Sequence, residues 1–402
     1  MTARSERRPR IVLATRLFEP EVSAGAFRLG ALVRGLVARG AEVDVVTTRP
    51  PAAIRDREVR IPGARLDRWP VLRDAGGNVR GYIQYLSFDA PLAFRLLARR
   101  ADAFVAEAPP TTGFVAAAVA WLRRTPFAYY AADVWTDGVV SMGAPAPVVS
   151  LMRWMERRVL RSARVVLSVS AEVTERLVAL GADRARIATI GNGIDTTVFS
   201  PEGPAQESVR PYFVYTGTMS EWQQPDVFVK AFARVAAEVD DVELRFFGQG
   251  ALQSDLRALA ERMAPGRVHF GGVVPPEESA RWIRDAVAAL VSIVPGKGYD
   301  FARPTKTYAA AACGTPVLFA GAATGRRLVE DADLGEGADF DERAVADAMR
   351  RLLDQRADGT TEARRATRAA WARENVSLIA AGERAARAVI GMIPGGSERI
   401  DA

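Results

Sequence analysis

The chain has 402 residues, of which 49% are hydrophobic and 25% charged, with a formal net charge of +6. That length exceeds one ordinary core and predicts two domains, and the composition is that of a globular protein. A single cysteine, Cys313, excludes an internal disulfide, and a single histidine, His269, leaves no Cys/His zinc set. No apolar run nears the roughly 18 residues of a membrane span.

The basic N-terminus MTARSERRPR runs straight into a strand, so no signal peptide is expected and a cytoplasmic location follows. The positive charge favours anionic partners: a nucleotide, a phosphorylated lipid or an anionic membrane surface. It is spread along the chain without the signature of a nucleic-acid-binding module, so no nucleic-acid partner is expected.

Strands and helices alternate, which predicts an α/β chain of parallel sheets. RIVLAT (10–15) reads as a buried strand, followed by a loop and a helix over 26–40. Phe27, Ala31, Leu32 and Leu36 recur there at helical spacing, and Gly40 is a natural stop. Strands are expected at 42–48, 103–107, 127–131 and 164–170, a helix at 171–181, and a strand from 186 into the turn IGNG. The segment SPEGPAQESVRP (200–211) reads as a linker. Strands then follow at 212–217, 242–250, 268–272, 288–294 and 316–321, with helices at 225–239, 251–263, 276–286 and about 305–313. Two further helices precede a last one over about 377–391.

The expected domains are therefore 1–205 and 206–376, both doubly wound and Rossmann-like. Residues 377–402 form a C-terminal helix and tail, with the helix expected to pack back on the first domain. Ligands of such folds sit beyond the carboxyl ends of the strands, which points to a cleft between facing domains.

Five stretches could carry chemistry. In RPTKTYAAAACGTPVLFAG (303–321), Pro304 and Thr305 suit a helix start, and Gly314 with Pro316 ends it. The free N–H groups and positive dipole end favour an anion, and Lys306 adds a charge there. Lysine is scarce in this chain: Lys230, Lys297 and Lys306 are the three present. A surface lysine at the mouth of a buried helix is the equal alternative. FFGQG (246–250) is a strand entering a turn where Gly248, Gln249 and Gly250 let a ligand approach the backbone. VSAG (22–25), ending at Gly25, precedes a helix and is equally an anion loop or a plain turn. In IGNGIDTTVFSP (190–201), Asn-Gly signals a turn. In YYAADVWTDG (129–138), Asp133 follows a strand end, where a carboxylate acts either as a general base or as a cap.

In this order the stretches resemble the family-4 retaining glycosyltransferases of the GT-B fold, bacterial members of polysaccharide and lipid-linked sugar pathways above all. The resemblance covers essentially the whole chain. IGNGIDTTVF is similar to that family's PNGVD…F turn, and PTKTYAAAACGTPVLFAG to its PSKxxEYLAxGxPVV signature. The resemblance implies transfer of a sugar, with retention, from a UDP- or GDP-sugar on the C-terminal domain to a sugar, polyprenyl-linked or other acceptor on the N-terminal domain. It implies donor contacts at Gly25, Gly217, Thr218, Gly248, Gln249, Gly250, Arg303, Thr305, Tyr308 and Ala309, with the base near Val273 and Val274. Lys306 would meet the diphosphate, Asp133 and Lys306 would be the catalytic pair, and no metal or other cofactor is called for.

The chain departs from that pattern where the donor would be held. Ala309 stands in place of a ribose-binding glutamate, and Phe301 in place of an acid eight residues earlier. Thr218 and Gln223 replace the Arg and Lys that help hold the diphosphate, and Ala132 replaces a histidine before Asp133. A non-catalytic homologue binding a nucleotide sugar or a partner protein is the rival reading, and a sugar-phosphate synthase or an epimerase on the same fold is another. Finally, VVSLMRWMERRVLRSAR (148–164) puts Val148, Leu151, Met155 and Val159 on one helical face and arginines on the other. This suits either a core-facing helix or a peripheral contact with the inner membrane face.

Overall fold

The computed structural model describes residues 8–394 except 22, 58, 75, 76, 78, 80, 142 and 207. Val22 of the VSAG loop therefore lies outside the described residues. The chain divides into two compact units, Met1–Asn192 with Leu378–Ala402, and Gly193–Ser377.

In the first unit the order is β1 (Arg10–Ala14), α1 (Ala24–Ala38), β2 (Glu42–Thr48), β3 (Ala64–Trp69), α2 (Tyr82–Leu97), β4 (Ala103–Glu107) and α3 (Pro110–Arg123). It continues with β5 (Phe127–Ala131), α4 (Trp135–Ser141), α5 (Ala146–Ser162), β6 (Val165–Ser168), α6 (Ala171–Ala179) and β7 (Ile187–Thr189). The sheet is parallel in the order β3-β2-β1-β4-β5-β6-β7. Every residue of β4 and β5 is buried, so both faces of these strands are covered. The strand order reverses between β1 and β4, where Ile11 pairs with both Val43 and Ala103.

The second unit runs β8 (Tyr212–Thr216), α7 (Asp226–Ala236), β9 (Glu243–Phe247), α8 (Gln253–Met263), β10 (Val268–Gly272), α9 (Pro276–Arg284), β11 (Ala288–Ile293) and α10 (Thr305–Ala312). Then come β12 (Val317–Gly321), α11 (Ala323–Asp331), β13 (Gly335–Ala338), α12 (Glu342–Ala357), α13 (Thr360–Ala363) and α14 (Arg365–Asn375). Its sheet is parallel in the order β10-β9-β8-β11-β12-β13, reversing between β8 and β11. The last helix, α15 (Leu378–Gly391), belongs to the first unit and packs on α1. Small residues allow that approach: a Cβ on Gly382 would lie 2.6 Å from the Ala31 carbonyl carbon, and one on Gly35 would lie 2.9 Å from the Gly382 oxygen.

Four differences from the sequence reading have local causes. The division falls at 192/193 instead of 205, because the expected linker is pinned to the second unit. The buried Arg284 donates to the carbonyls of Val198, Ser200 and Pro204, each at 2.8 Å. Strands β3 and β13 were not anticipated, since both are sheet edges of polar or glycine-rich sequence. On α5 the buried face is Met152, Glu156, Val159 and Leu160, while Leu151 is exposed. Glu156 turns inward because its carboxylate accepts the backbone N–H groups of Trp135 and Thr136, both at 2.9 Å, and so caps α4. On α1 the inward stripe is Ala26, Leu29, Leu32, Val33 and Leu36, so Phe27 and Ala31 flank it.

Candidate functional site

In the second unit three loops leave the carboxyl ends of adjacent strands and are tied together sideways. Gly217 N–H donates to Phe247 O at 2.8 Å, Met219 N–H to Gln249 O at 3.0 Å, and Gly248 N–H to Gly272 O at 2.6 Å. The glycines make this stack possible. Gly248 has φ +123°, and a Cβ there would lie 1.9 Å from Gly217 O; a Cβ on Gly250 would lie 2.2 Å from Met219 O. The Gly-x-Gly turn thus serves first to let one loop lie on the next, with Gln249 exposed between.

Lys306 enters this stack from the first turn of α10. Its Nζ lies 3.8 Å from the centroid of the Tyr215 ring in β8, and a Cβ on Gly217 would approach that Nζ to 3.5 Å. The ammonium therefore stands at the reversal point between β8 and β11, where doubly wound sheets receive ligands. Part of the lysine stem is exposed, yet Nζ is shut off from solvent and has no hydrogen-bond partner among the described residues. Burial pushes its pKa down to about 7. The Tyr215 ring supplies a cation–π contact, worth about 2 kcal/mol when desolvated, and its hydroxyl donates to Thr218 O (2.6 Å) or Gln223 Oε1 (2.9 Å).

Thr218 and Gln223 stand where the related pattern carries cations. Here they bond to each other, Thr218 Oγ1 to Gln223 Oε1 at 3.2 Å, and Gln223 is buried. The hydroxyls of Ser220, Ser292 and Thr307 are also buried without partners among the described residues. No described side chain caps α10, whose cap residue is Pro304. The mouth of this helix thus combines a buried ammonium with uncapped N–H groups, a setting for an anion.

The other expected donor residues divide by environment. Thr305 is half-buried beside Lys306, Arg303 is exposed, and Tyr308 and Ala309 lie buried in the apolar cluster under α10. Val273 is exposed after β10 and Val274 half-buried. Asp300 accepts the Gly296 N–H, which ties down the loop carrying Lys297.

In the first unit Asp133 is exposed just past β5. Gly25 lies at the start of α1, where a Cβ would come within 2.9 Å of Glu107 Oε1. Glu107, at the end of β4, was missed by the sequence reading, although a carboxylate closing an apolar strand (AFVAE) was a visible signal. Burial raises its pKa, opposed by Arg28, whose nitrogen is 3.9 Å away, and by the Thr15 hydroxyl at 3.0 Å. The buried Arg16 was missed as well. Its guanidinium stacks on Tyr85 at 3.8 Å. Among the described residues no group of three or more His, Cys, Asp and Glu is arranged to hold a metal ion.

Two family models match this chain: the "Glycosyl transferase 4-like domain" over residues 24–193 and "Glycosyl transferases group 1" over residues 210–355. The chain belongs to the family-4 glycosyltransferases of the GT-B fold. A D-inositol 3-phosphate glycosyltransferase of Mycolicibacterium smegmatis is 27% identical over 291 residues, 66% of this chain and 64% of the relative. Matches to such curated relatives span 49 to 64% of the relatives' own length. Among solved structures, WaaG, a glycosyltransferase involved in lipopolysaccharide biosynthesis, aligns with TM-score 0.71 and 16% identity over 95% of this chain and 100% of WaaG. Anabaena Alr3699/HepE, in complex with UDP and glucose, aligns with TM-score 0.64 and 14% identity over 94% and 98% of the two chains. At these identities the structures establish the fold of the GT-B member.

Proposed function

We propose that this protein is a glycosyltransferase that takes a sugar from a UDP- or GDP-sugar and passes it, with retention, to a glycan, lipid-linked or small-molecule acceptor. The observation that carries the reading is the solvent-shielded ammonium of Lys306 at the mouth of α10, without a hydrogen-bond partner among the described residues and beside the stacked loops of Gly217 and Gly248. As the bond from the sugar C1 to the diphosphate breaks, negative charge grows on the leaving oxygen. A fixed cation and a helix N-terminus stabilise that charge without reorganisation. On the first unit Asp133 is the candidate base for the acceptor hydroxyl. The reading treats the nucleotide sugar as substrate and calls for no further cofactor.

Ala309 favours a second reading, a nucleotide-sugar-binding protein without turnover, because no carboxylate stands where the ribose would be held. A thermal-shift screen over nucleoside diphosphates and their sugars, followed by a turnover assay with the stabilising sugar, separates the two. Stabilisation with turnover supports the enzyme, stabilisation alone supports the second reading, and neither rejects both.

The acceptor side includes a proposed peripheral membrane contact. The outward face of α5 carries exposed Leu151 and Trp154 among Arg153, Arg157, Arg158 and Arg161, which suits anionic lipid. No helix among the described residues is long and apolar enough to cross a membrane.

A further inference from the structure

At the carboxyl end of the first unit's sheet, buried polar atoms converge from four segments. Arg16 follows β1, Tyr85 and Asp89 stand one turn apart on α2, Tyr129 lies in β5, and Trp135 opens α4. The Arg16 guanidinium lies 3.8 Å from the centroid of the Tyr85 ring and 5.9 Å from that of Trp135, and the two rings meet edge to face at 6.0 Å. Arg16 is 8% exposed and Asp89 6%. Asp89 Oδ1 accepts from the Thr112 hydroxyl at 2.6 Å, which fixes the carboxylate. Five atoms here are buried without a hydrogen-bond partner among the described residues: Arg16 Nε and Nη1, Asp89 Oδ2, the Tyr129 hydroxyl and Trp135 Nε1. Buried polar groups are costly to leave unbonded. These lie where the strand order reverses, the place at which doubly wound sheets receive ligands.

The charges select the class of ligand. Burial raises the pKa of Asp89 and of Glu107, and Arg16 is among the groups that oppose this in both. Arg28 stands 3.9 Å from Glu107. Two arginines thus face two buried carboxylates, and Asp133 is exposed just past β5. An anion would be drawn to Arg16 but set against Asp89, Glu107 and Asp133, and a cation would meet the reverse. A hydroxyl both donates and accepts. Adjacent hydroxyls on one ring can therefore serve Asp89 and the N–H groups of Arg16 and Trp135 together. Tyr85 and Trp135 are half-buried, which leaves a way in from solvent.

We propose that Arg16 and Asp89 are a specificity-determining pair for an uncharged polyhydroxylated acceptor, the hydroxyl-bearing face of a sugar or cyclitol. That the ligand is an acceptor rests on the glycosyltransferase reading; that it binds at this pair does not.

The test is saturation-transfer NMR on the full chain, without nucleotide, using methyl α-D-glucopyranoside, myo-inositol and the anionic methyl α-D-glucopyranosiduronate. At least one neutral probe should bind, and the uronate at least tenfold more weakly. Arg16→Gln should weaken the neutral probe at least tenfold. Asp89→Asn, close in shape, should cut the preference over the uronate at least tenfold, which a merely structural loss would not do. Should Arg16→Gln fail to fold, the wild type and Asp89→Asn still decide. No transfer to either neutral probe would overturn the site and leave these atoms to buried water. A uronate bound as tightly as the neutral probes would overturn the uncharged class. Unchanged affinity and preference in the variants would overturn the pair. With no nucleotide present, failure here leaves the Lys306 reading untouched, and an absence of turnover leaves this binding intact.

Discussion

Lys306 is where a single residue bears most on the account. Its folded pKa lies near 7 because its ammonium is cut off from water, against about 10.4 in an unfolded chain. Below pH 7 both states carry the charge and the folded state bears the whole cost of burying it. Between about 7 and 10.4 the folded state releases its proton first, so stability rises with pH. Above that window the cost is gone. Lys306→Met, which keeps the stem and removes the charge, should therefore stabilise the protein by several kcal/mol at pH 6, since each pH unit between the folded and unfolded pKa corresponds to about 1.4 kcal/mol. The gain should fall toward zero near pH 10.5. Urea unfolding of both proteins at the two pH values checks this, and a pH-independent difference would show that the ammonium is solvated. The sequence already marked this lysine as a rare cation at a helix start. What it did not disclose is the lysine's surroundings, since Tyr215 and Gly217 lie about 90 positions away and meet it only through the pairing of β8 with β11.

At the scale of elements, the candidate site depends on loops lying against loops. Gly248→Ala places a Cβ against the Gly217 carbonyl at a φ that side chains rarely adopt. It should lower stability by roughly 2 kcal/mol and weaken nucleoside diphosphate binding, both measurable by denaturation and calorimetry on one preparation. Wild-type values in both would mean that the stack yields at no cost. Gly382→Leu should likewise force α15 from α1 and cost about 1–3 kcal/mol in urea unfolding, with no loss expected if α15 docks loosely. Legibility also divided by element. Buried parallel strands such as β4, β5 and β12 were plain from apolar runs. Edge strands β3 and β13 were not, because only one side of each is paired and their side chains stay partly polar. Helix α5 was found but rotated, since periodicity assigns a glutamate outward and cannot foresee that Glu156 caps another helix.

At the scale of the whole molecule, two parallel sheets in two units followed from the alternation of strands and helices. The return of α15 to the first unit adds a late chain segment to an early core. The position of the division was less legible, because Arg284 reaches three carbonyls at least 80 residues earlier in the chain. Under the proposed function the Lys306 cradle receives the diphosphate of a nucleotide-sugar donor. Calorimetric titration of UDP and GDP into wild type and Lys306→Ala at pH 7.5 and 9 tests it most directly. One nucleotide should bind the wild type, and bind the variant at least tenfold more weakly. Binding to the wild type should take up a proton and weaken at pH 9, because the neutral amine must regain its charge. Equal affinity in wild type and variant, with no proton taken up, would contradict it.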